Sequence, residues 1–195
     1  MQEKGVLTDD DIIRRIRSGE SSAFGELVDR YKDKAMSLAV RLLKHEEDAE
    51  DALQEAFVKA YTSLGTFRND SAFATWFYRI VYTTCLNTLK RKGRGQPLAE
   101  FQEDNMSGGL DSVGRESLDS EMVDRVISEA LAVMHPIYAS IMDLFYVQEC
   151  SYDEIVSITR LPLGTVKTRL NRGRHVLRVA LLQKIPDLES WLINE

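Results

Sequence analysis

The chain has few cysteines: Cys85 and Cys150 are the only two, with no CxxC pair and no histidine cluster beside them. That excludes a zinc site of the CxxC type, and it fits a reducing cytoplasm in which both thiols act as small apolar packers. His45, His135 and His175 are far apart in sequence and suggest neither a metal centre nor a catalytic triad. Long apolar runs are missing too. The richest, Ile137 to Val147, is interrupted by Ser140 and Asp143, well short of the about 18–20 residues of a membrane span. The opening MQEKGVLTDDD lacks the basic-then-apolar order of a secretory leader. No stretch alternates strongly enough to predict a sheet, and there is no glycine-rich phosphate loop.

Acidic residues are abundant overall, 31 of 195, yet two long stretches contain none. Residues 71–99 hold Arg79, Lys90, Arg91, Lys92 and Arg94, and residues 155–186 hold Arg160, Lys167, Arg169, Arg172, Arg174, Arg178 and Lys184. These twelve cations, set against a formal charge of −6, leave −18 on the rest of the chain. Segregation of this kind suits two separate contacts with a polyanion, carried on a body that repels it elsewhere.

The periodicity is helical nearly throughout. Thr8, with Asp11 three residues on, caps a short helix through Arg17, and Gly19 stops it. Ser21 or Ser22 caps a long helix with Phe24, Leu27, Val28, Tyr31, Ala35, Leu38 and Leu42 on one face. A third helix, from Glu46 to Leu64, buries Ala49, Ala52, Leu53, Ala56, Phe57, Ala60 and Leu64, and Gly65 ends it. Ser71 then caps a fourth through Arg91, with Phe73, Trp76, Phe77 and Ile80 as its apolar stripe.

Residues 93–120 change character. They carry five Gly, four Ser and six acids, too polar to bury a core. Helical periodicity resumes at Met122, is broken by Pro136, and continues from Ile137 to Val147, followed by two shorter helices and a final piece from Asp187 to Ile193. The expected architecture is therefore all-α. Two small helical domains, 1–92 and 121–195, are joined by a flexible acidic linker over 93–120.

Residues 151–178 read SYDEIVSITRLPLGTVKTRLNRGRHVLR. Ser151 and Glu154 form a capping box, Ile155 and Ile158 give a buried face, and Thr159–Leu161 is a short turn before Pro162. In the next helix Leu163, Val166, Leu170 and Leu177 face inward, and Gly173 permits close packing. Thr165, Lys167, Thr168, Arg169, Arg172 and Arg174 face out. Two helices with a tight turn, the second basic on its outer face, match a helix-turn-helix that reads the major groove. Arginine there bonds guanine bidentately, while Lys and Thr also serve phosphates.

The segment EIVSITRLPLGTVKTRLNRGR resembles the promoter-binding region of bacterial RNA polymerase sigma factors of the extracytoplasmic function (ECF) group. DAEDALQEAFVKAY and FRNDSAFATWFYRIVYTTCLN resemble their other conserved region. The resemblance implies an alternative sigma factor, not an enzyme, that needs no cofactor or metal. It would bind core RNA polymerase and promoter DNA in the cytoplasm and answer to an anti-sigma factor, often membrane-bound. It places Asp51, Gln54 and Glu55 on the polymerase core, and helical spacing sets Val58 beside them as a further core-binding residue. Read from the residues alone, these form an anionic surface with an apolar centre, a plausible partner site.

The resemblance further assigns minus-10 DNA to the segment Phe67 to Asn87. The residues expected there are Phe67, Arg68, Asn69, Asp70, Ser71, Arg79, Tyr82, Thr83, Asn87, Lys90, Arg91 and Lys92. Strand opening needs an extruded base held in a pocket, with the turn Thr66–Asp70 as its wall. Tyr78 and Tyr82 are the better candidates for stacking on bases. Minus-35 DNA falls to Arg160, Gly164, Thr165, Lys167, Thr168, Arg169, Arg172 and Arg174. Thr83 stands where the family commonly has Asn, Val156 and Arg160 where it has Ala and a turn Gly, and Gly173 where Ala is common. Linker carboxylates such as Glu103, Asp104 and Asp111 would lie toward the RNA exit path.

Two rival readings have their own signatures. A stand-alone helix-turn-helix regulator would normally dimerise on symmetric half-sites, and no dimerisation heptad is evident. An all-helical nucleotide hydrolase would use Glu47, Glu50 and Asp51 for Mg²⁺, but no second carboxylate-bearing helix is apparent.

Overall fold

The structure, a computed structural model, describes residues 7–93 and 120–184. These residues form eight α-helices and no strand: α1 (Asp9–Arg17), α2 (Phe24–Leu43), α3 (Glu46–Ser63), α4 (Phe73–Arg91), α5 (Ser120–Val133), α6 (Pro136–Tyr146), α7 (Tyr152–Thr159) and α8 (Leu163–Lys184). The chain divides into two compact units. The expected all-helical, two-part architecture holds. The linker carboxylates Glu103, Asp104 and Asp111, the final piece Asp187 to Ile193 and the tail around Trp191 lie outside the described residues.

In the first unit α2, α3 and α4 pack against one another. α3 presents Ala49, Ala52, Ala56 and Ala60, all essentially buried, so its neighbours approach closely on both sides. Large side chains fill the remaining space: Leu27, Leu38 and Leu42 from α2, and Phe73, Phe77 and Val81 from α4. Phe57 and Phe77 stack with ring centres 4.7 Å apart, and Tyr31 meets Phe73 at 5.4 Å. Thr8 caps α1 in a capping box with Asp11, as its spacing predicts. Asp9 ties α1 to α2 by accepting from Arg30 and from the Tyr31 hydroxyl.

Two expected caps are absent. Ser21 and Ser22 sit inside a 3-10 turn, Ser21–Ala23, that leads into α2 without a side-chain cap. α4 starts one residue later than Ser71 would dictate, with Ala72 at the cap position. The stripe of α4 is also wider than expected. α4 buries Phe73, Thr75, Phe77, Tyr78, Val81, Tyr82, Thr84, Cys85 and Thr88, while Trp76 and Ile80 are only half-buried. A helix packed against two neighbours needs a broad buried arc, and threonines complete it.

In the second unit α5, α6 and α8 pack together. Pro136 is the first residue of α6, where its missing N–H costs nothing. Asp143, wholly buried on α6, accepts from Gln148 Nε2 at 2.8 Å. Ser151 and Glu154 cap α7 reciprocally. α7 ends at Arg160, which adopts the left-handed conformation (φ 63°, ψ 17°) that the turn requires. Gly173 packs its backbone on α6: a Cβ there would lie 2.6 Å from Met142 Cγ.

Candidate nucleic-acid and polymerase interfaces

Along α3, Glu47, Glu50, Asp51 and Gln54 are exposed. They border Val58, which is 63% exposed, and Tyr61, 44% exposed. Spacings of three and four residues put all six on one helical face. Exposed acids surrounding exposed apolar atoms are suited to a partner rather than to the core of this chain. Sequence reasoning missed Tyr61 as part of this surface, although its spacing from Val58 was the signal.

Glu55 sits at the edge of that face and turns away from it. Its carboxylate pairs with Lys59 at 2.7 Å and lies 3.9 Å from Arg91. The hydrogen bond from Lys59 holds the Glu55 carboxyl below the usual range, with help from the charges of Lys59 and Arg91. Lys59 also donates to Thr84 Oγ1 at 3.2 Å, which bridges α3 to α4.

On the other side of α4, Arg79, Thr83, Asn87 and Lys90 are exposed in a line one turn apart. This line borders a cavity of about 400 Å³ lined by Lys59, Ser63, Thr66, Trp76, Arg79, Ile80, Thr83 and Thr84. Trp76 supplies an aromatic wall, Lys59 and Arg79 supply cations, and the threonines supply hydroxyls. The cavity therefore has the chemistry of a site for a base with its phosphate. Beside it the turn after α3 exposes Arg68, Asn69, Asp70 and Ser71, with Asn69 in the left-handed region (φ 57°).

Several expected minus-10 residues are placed otherwise. Phe67 is 5% exposed and packs on Trp76 at 5.0 Å, so it supports the turn from within. Tyr78 and Tyr82 are 2% and 4% exposed, because α4 is covered on two sides, and neither ring is available for stacking on a base. Lys92 is exposed only in part, and its ammonium pairs with the buried carboxylate of Asp48 in the first turn of α3. Arg91 donates to Thr88 Oγ1 at 3.4 Å. Arg68, Arg79 and Lys90 have no acidic partner among the described residues.

In the second unit Arg160, Gly164 and Lys167 are exposed, and Thr165, Thr168, Arg172 and Arg174 are half-buried. The helix starts with Leu163 41% exposed, contrary to the expected inward face. Arg169 is the larger correction. It is 3% exposed because Val166, Arg169, Leu170 and Gly173 form one inward stripe at i, i+3, i+4 and i+7. Arg174 leans on α6, with its guanidinium 5.6 Å from the Phe145 ring and donating to the Tyr146 hydroxyl at 2.7 Å. Lys167 lies 5.9 Å from the Tyr152 ring centre. A Cβ added at Gly164 would touch nothing, so the fold itself does not require glycine there.

Two helical units, each with an exposed cationic surface and one with an anionic apolar-centred face, define a modular DNA-binding protein with a protein partner. Family models described as Sigma-70 region 2 and Sigma-70, region 4 match residues 27–95 and 124–176. The RNA polymerase sigma-H factor of Pseudomonas aeruginosa is 33% identical over 181 residues, covering 89% of this chain and 93% of that protein. The ECF RNA polymerase sigma-E factor of Escherichia coli is 35% identical (88% and 93% covered), and SigW of Bacillus subtilis is 32% identical (87% and 94%). The chain belongs to the ECF group of RNA polymerase sigma factors. It is an alternative sigma factor that directs promoter-specific transcription by core RNA polymerase, a binding protein and not an enzyme.

Solved structures share the fold. CnrH, solved with the cytosolic domain of CnrY, superposes with a TM-score of 0.59 at 20% identity, covering 87% of this chain and 94% of that one. The sigma factor RpoE of Bartonella quintana, solved with the anti-sigma factor NepR, gives 0.58 at 19%, covering 81% and 96%. No described helix is long and apolar enough to cross a membrane.

Proposed function

We propose that the two units divide promoter recognition between them. The first unit opens and holds the minus-10 element. The exposed line Arg79, Thr83, Asn87 and Lys90, bordering the cavity beside Trp76, is the observation that carries this reading. An extruded base would enter against Trp76, with Arg79 and Lys59 toward its phosphate and Arg68, Asn69, Asp70 and Ser71 at the rim. The second unit grips the duplex at the minus-35 element through Arg160, Lys167, Thr165, Thr168 and Arg172. Gly164 lets the backbone of α8 come close to the DNA. Arg174 would contact phosphate from its seat on α6.

The anionic face of α3, centred on Val58 with Asp51 and Gln54, docks on core polymerase, and Glu55 stands at its border. Residues 93–120 join the two units, and the polymerase sets the spacing between them. The protein works in the cytoplasm and is held in reserve by an anti-sigma factor that covers these faces. The net charge of −6 opposes DNA binding by the protein alone. Gel-shift assays on a cognate promoter test this: binding is weak for the free protein and strong with core polymerase, and equal affinity in both would overturn the reading.

A further inference from the structure

Two side chains of α1 hold the turn after α3 from a single helical face. Arg17 donates through Nη2 to the carbonyl of Leu64 at 3.3 Å and, more closely, to that of Phe67. Asp10, seven residues earlier, accepts from Asn69 Nδ2 at 3.3 Å. Residues seven apart on an α-helix lie within about 20° of each other. One rigid element therefore grips the turn at its start and at its apex. The turn needs that grip: Arg68, Asn69, Asp70 and Ser71 are exposed, and Asn69 occupies the left-handed region. Leu64 at its start and the Phe67 ring, packed against Phe73 and Trp76, anchor it to the core, and nothing past Phe67 is buried before Phe73. α1 itself lies outside the stretch 27–95 that matches region 2.

We propose that Arg17 and Asp10 are positioning residues for promoter-base recognition. They fix the shape in which Arg68, Asn69 and Asp70 meet an extruded nucleotide of the minus-10 element, without touching the DNA. This rests on the reading of that turn as a wall of the minus-10 site. Base discrimination by hydrogen bonds requires the reading groups to be held within about 0.5 Å of their working geometry. A turn already ordered in the free protein also avoids the ordering cost of binding. Arginine suits the task because its planar, permanently charged guanidinium holds Nη2 at a fixed angle toward both carbonyls, whereas the lysine ammonium is a point charge on a flexible stem.

The test uses the full chain with core polymerase and a promoter library randomised across the minus-10 element. Four variants are compared: Arg17→Ala, Arg17→Lys, Asp10→Ala and Asn69→Ala. Arg17→Ala is expected to flatten the base preference at the position read by the turn by about tenfold, as loss of a charge-assisted hydrogen bond allows. Core affinity is expected to stay within about twofold, since the α3 face is untouched. Arg17→Lys restores part of the preference, and Asp10→Ala flattens it less than Arg17→Ala. Where Arg17→Ala fails to fold, the Asp10→Ala and Arg17→Lys pair carries the same comparison. If Asn69→Ala flattens the preference and no α1 variant does, the positioning role is wrong while the turn keeps its assignment. If none of the four changes the preference, both readings fall. Loss of core affinity and of base preference in equal proportion would reduce Arg17 to a structural residue and also overturn the proposal.

Discussion

The ammonium of Lys92, at the end of α4, closes on the carboxylate of Asp48 in the first turn of α3, with Asp48 buried and Lys92 half-exposed. A cation from the acid-free stretch is thus spent on holding two helices together. Removing it takes a cation from a buried carboxylate that His45 also approaches at 3.7 Å, which is costly even when solvent reaches one side. Lys92→Ala should lower the stability of the first unit by about 1–2 kcal/mol. Its effect on promoter affinity in the polymerase complex should be smaller than that of Lys90→Ala, two residues away and exposed. Thermal melts alongside filter binding separate the two effects.

Arg169 and Lys167 make a matched pair on α8. Arg169 lies on the inward stripe and Lys167 is exposed. Arg169→Ala should destabilise the second unit, by about 2 kcal/mol or more, since it removes a large buried side chain and its interactions. Lys167→Ala should leave the melting temperature within about a degree. It should also weaken binding to minus-35 DNA and lower the salt dependence of that binding by about one phosphate contact.

Arg160 holds a left-handed conformation at the helix-turn-helix corner. That geometry costs a non-glycine residue about 1 kcal/mol. Arg160→Gly should recover up to about that amount, less the entropy that glycine adds to the unfolded chain. The same change removes a cation and should weaken minus-35 binding. Stability and affinity therefore move in opposite directions, and chemical denaturation with DNA titration reads both.

Tyr31 links pH to stability. Burial, followed by its hydrogen bond to Asp9, pushes its hydroxyl well above the usual value of 10.0. In the unfolded chain the phenol loses its proton near pH 10, while the folded chain retains it. The unfolded state then binds fewer protons, so stability falls as pH rises above about 10 and is fully present below it. Tyr31→Phe loses the Asp9 bond at neutral pH but should show a shallower alkaline decline. Denaturation midpoints from pH 8 to 11 check the difference in slope. The Cys85 thiol, pushed up to about 12 chiefly by burial, stays protonated over the same range and should resist alkylation in the folded state.

The helices, their order and several of their ends were legible because the signals are local. Thr8 with Asp11 and Ser151 with Glu154 are short-range caps, and both form. The left-handed corner at Arg160 followed from the position at which the resemblance puts a glycine. What failed depended on neighbours that a sequence does not reveal. Periodicity fixes the repeat of a helix but not how wide an arc its partners cover. α4, packed against both α2 and α3, therefore buries Tyr78 and Tyr82 along with the expected Phe73 and Phe77. Charge was misleading for the same reason. Lys92 and Arg169 look like DNA-facing cations in the sequence, yet Lys92 answers the buried Asp48 and Arg169 shares the inward stripe with Val166 and Leu170. The hold of Arg17 on Leu64 and Phe67 spans about fifty residues and leaves no local trace.

Reconstituted transcription with purified core polymerase on a randomised promoter library tests the division of labour most directly. With the intact protein, initiation should concentrate on templates carrying both an upstream and a minus-10 sequence. Asn69→Ala should erode selection at the minus-10 positions alone, and Arg172→Ala at the upstream positions alone. Initiation at the same sites with and without the protein, or both substitutions eroding the same positions, would contradict the account.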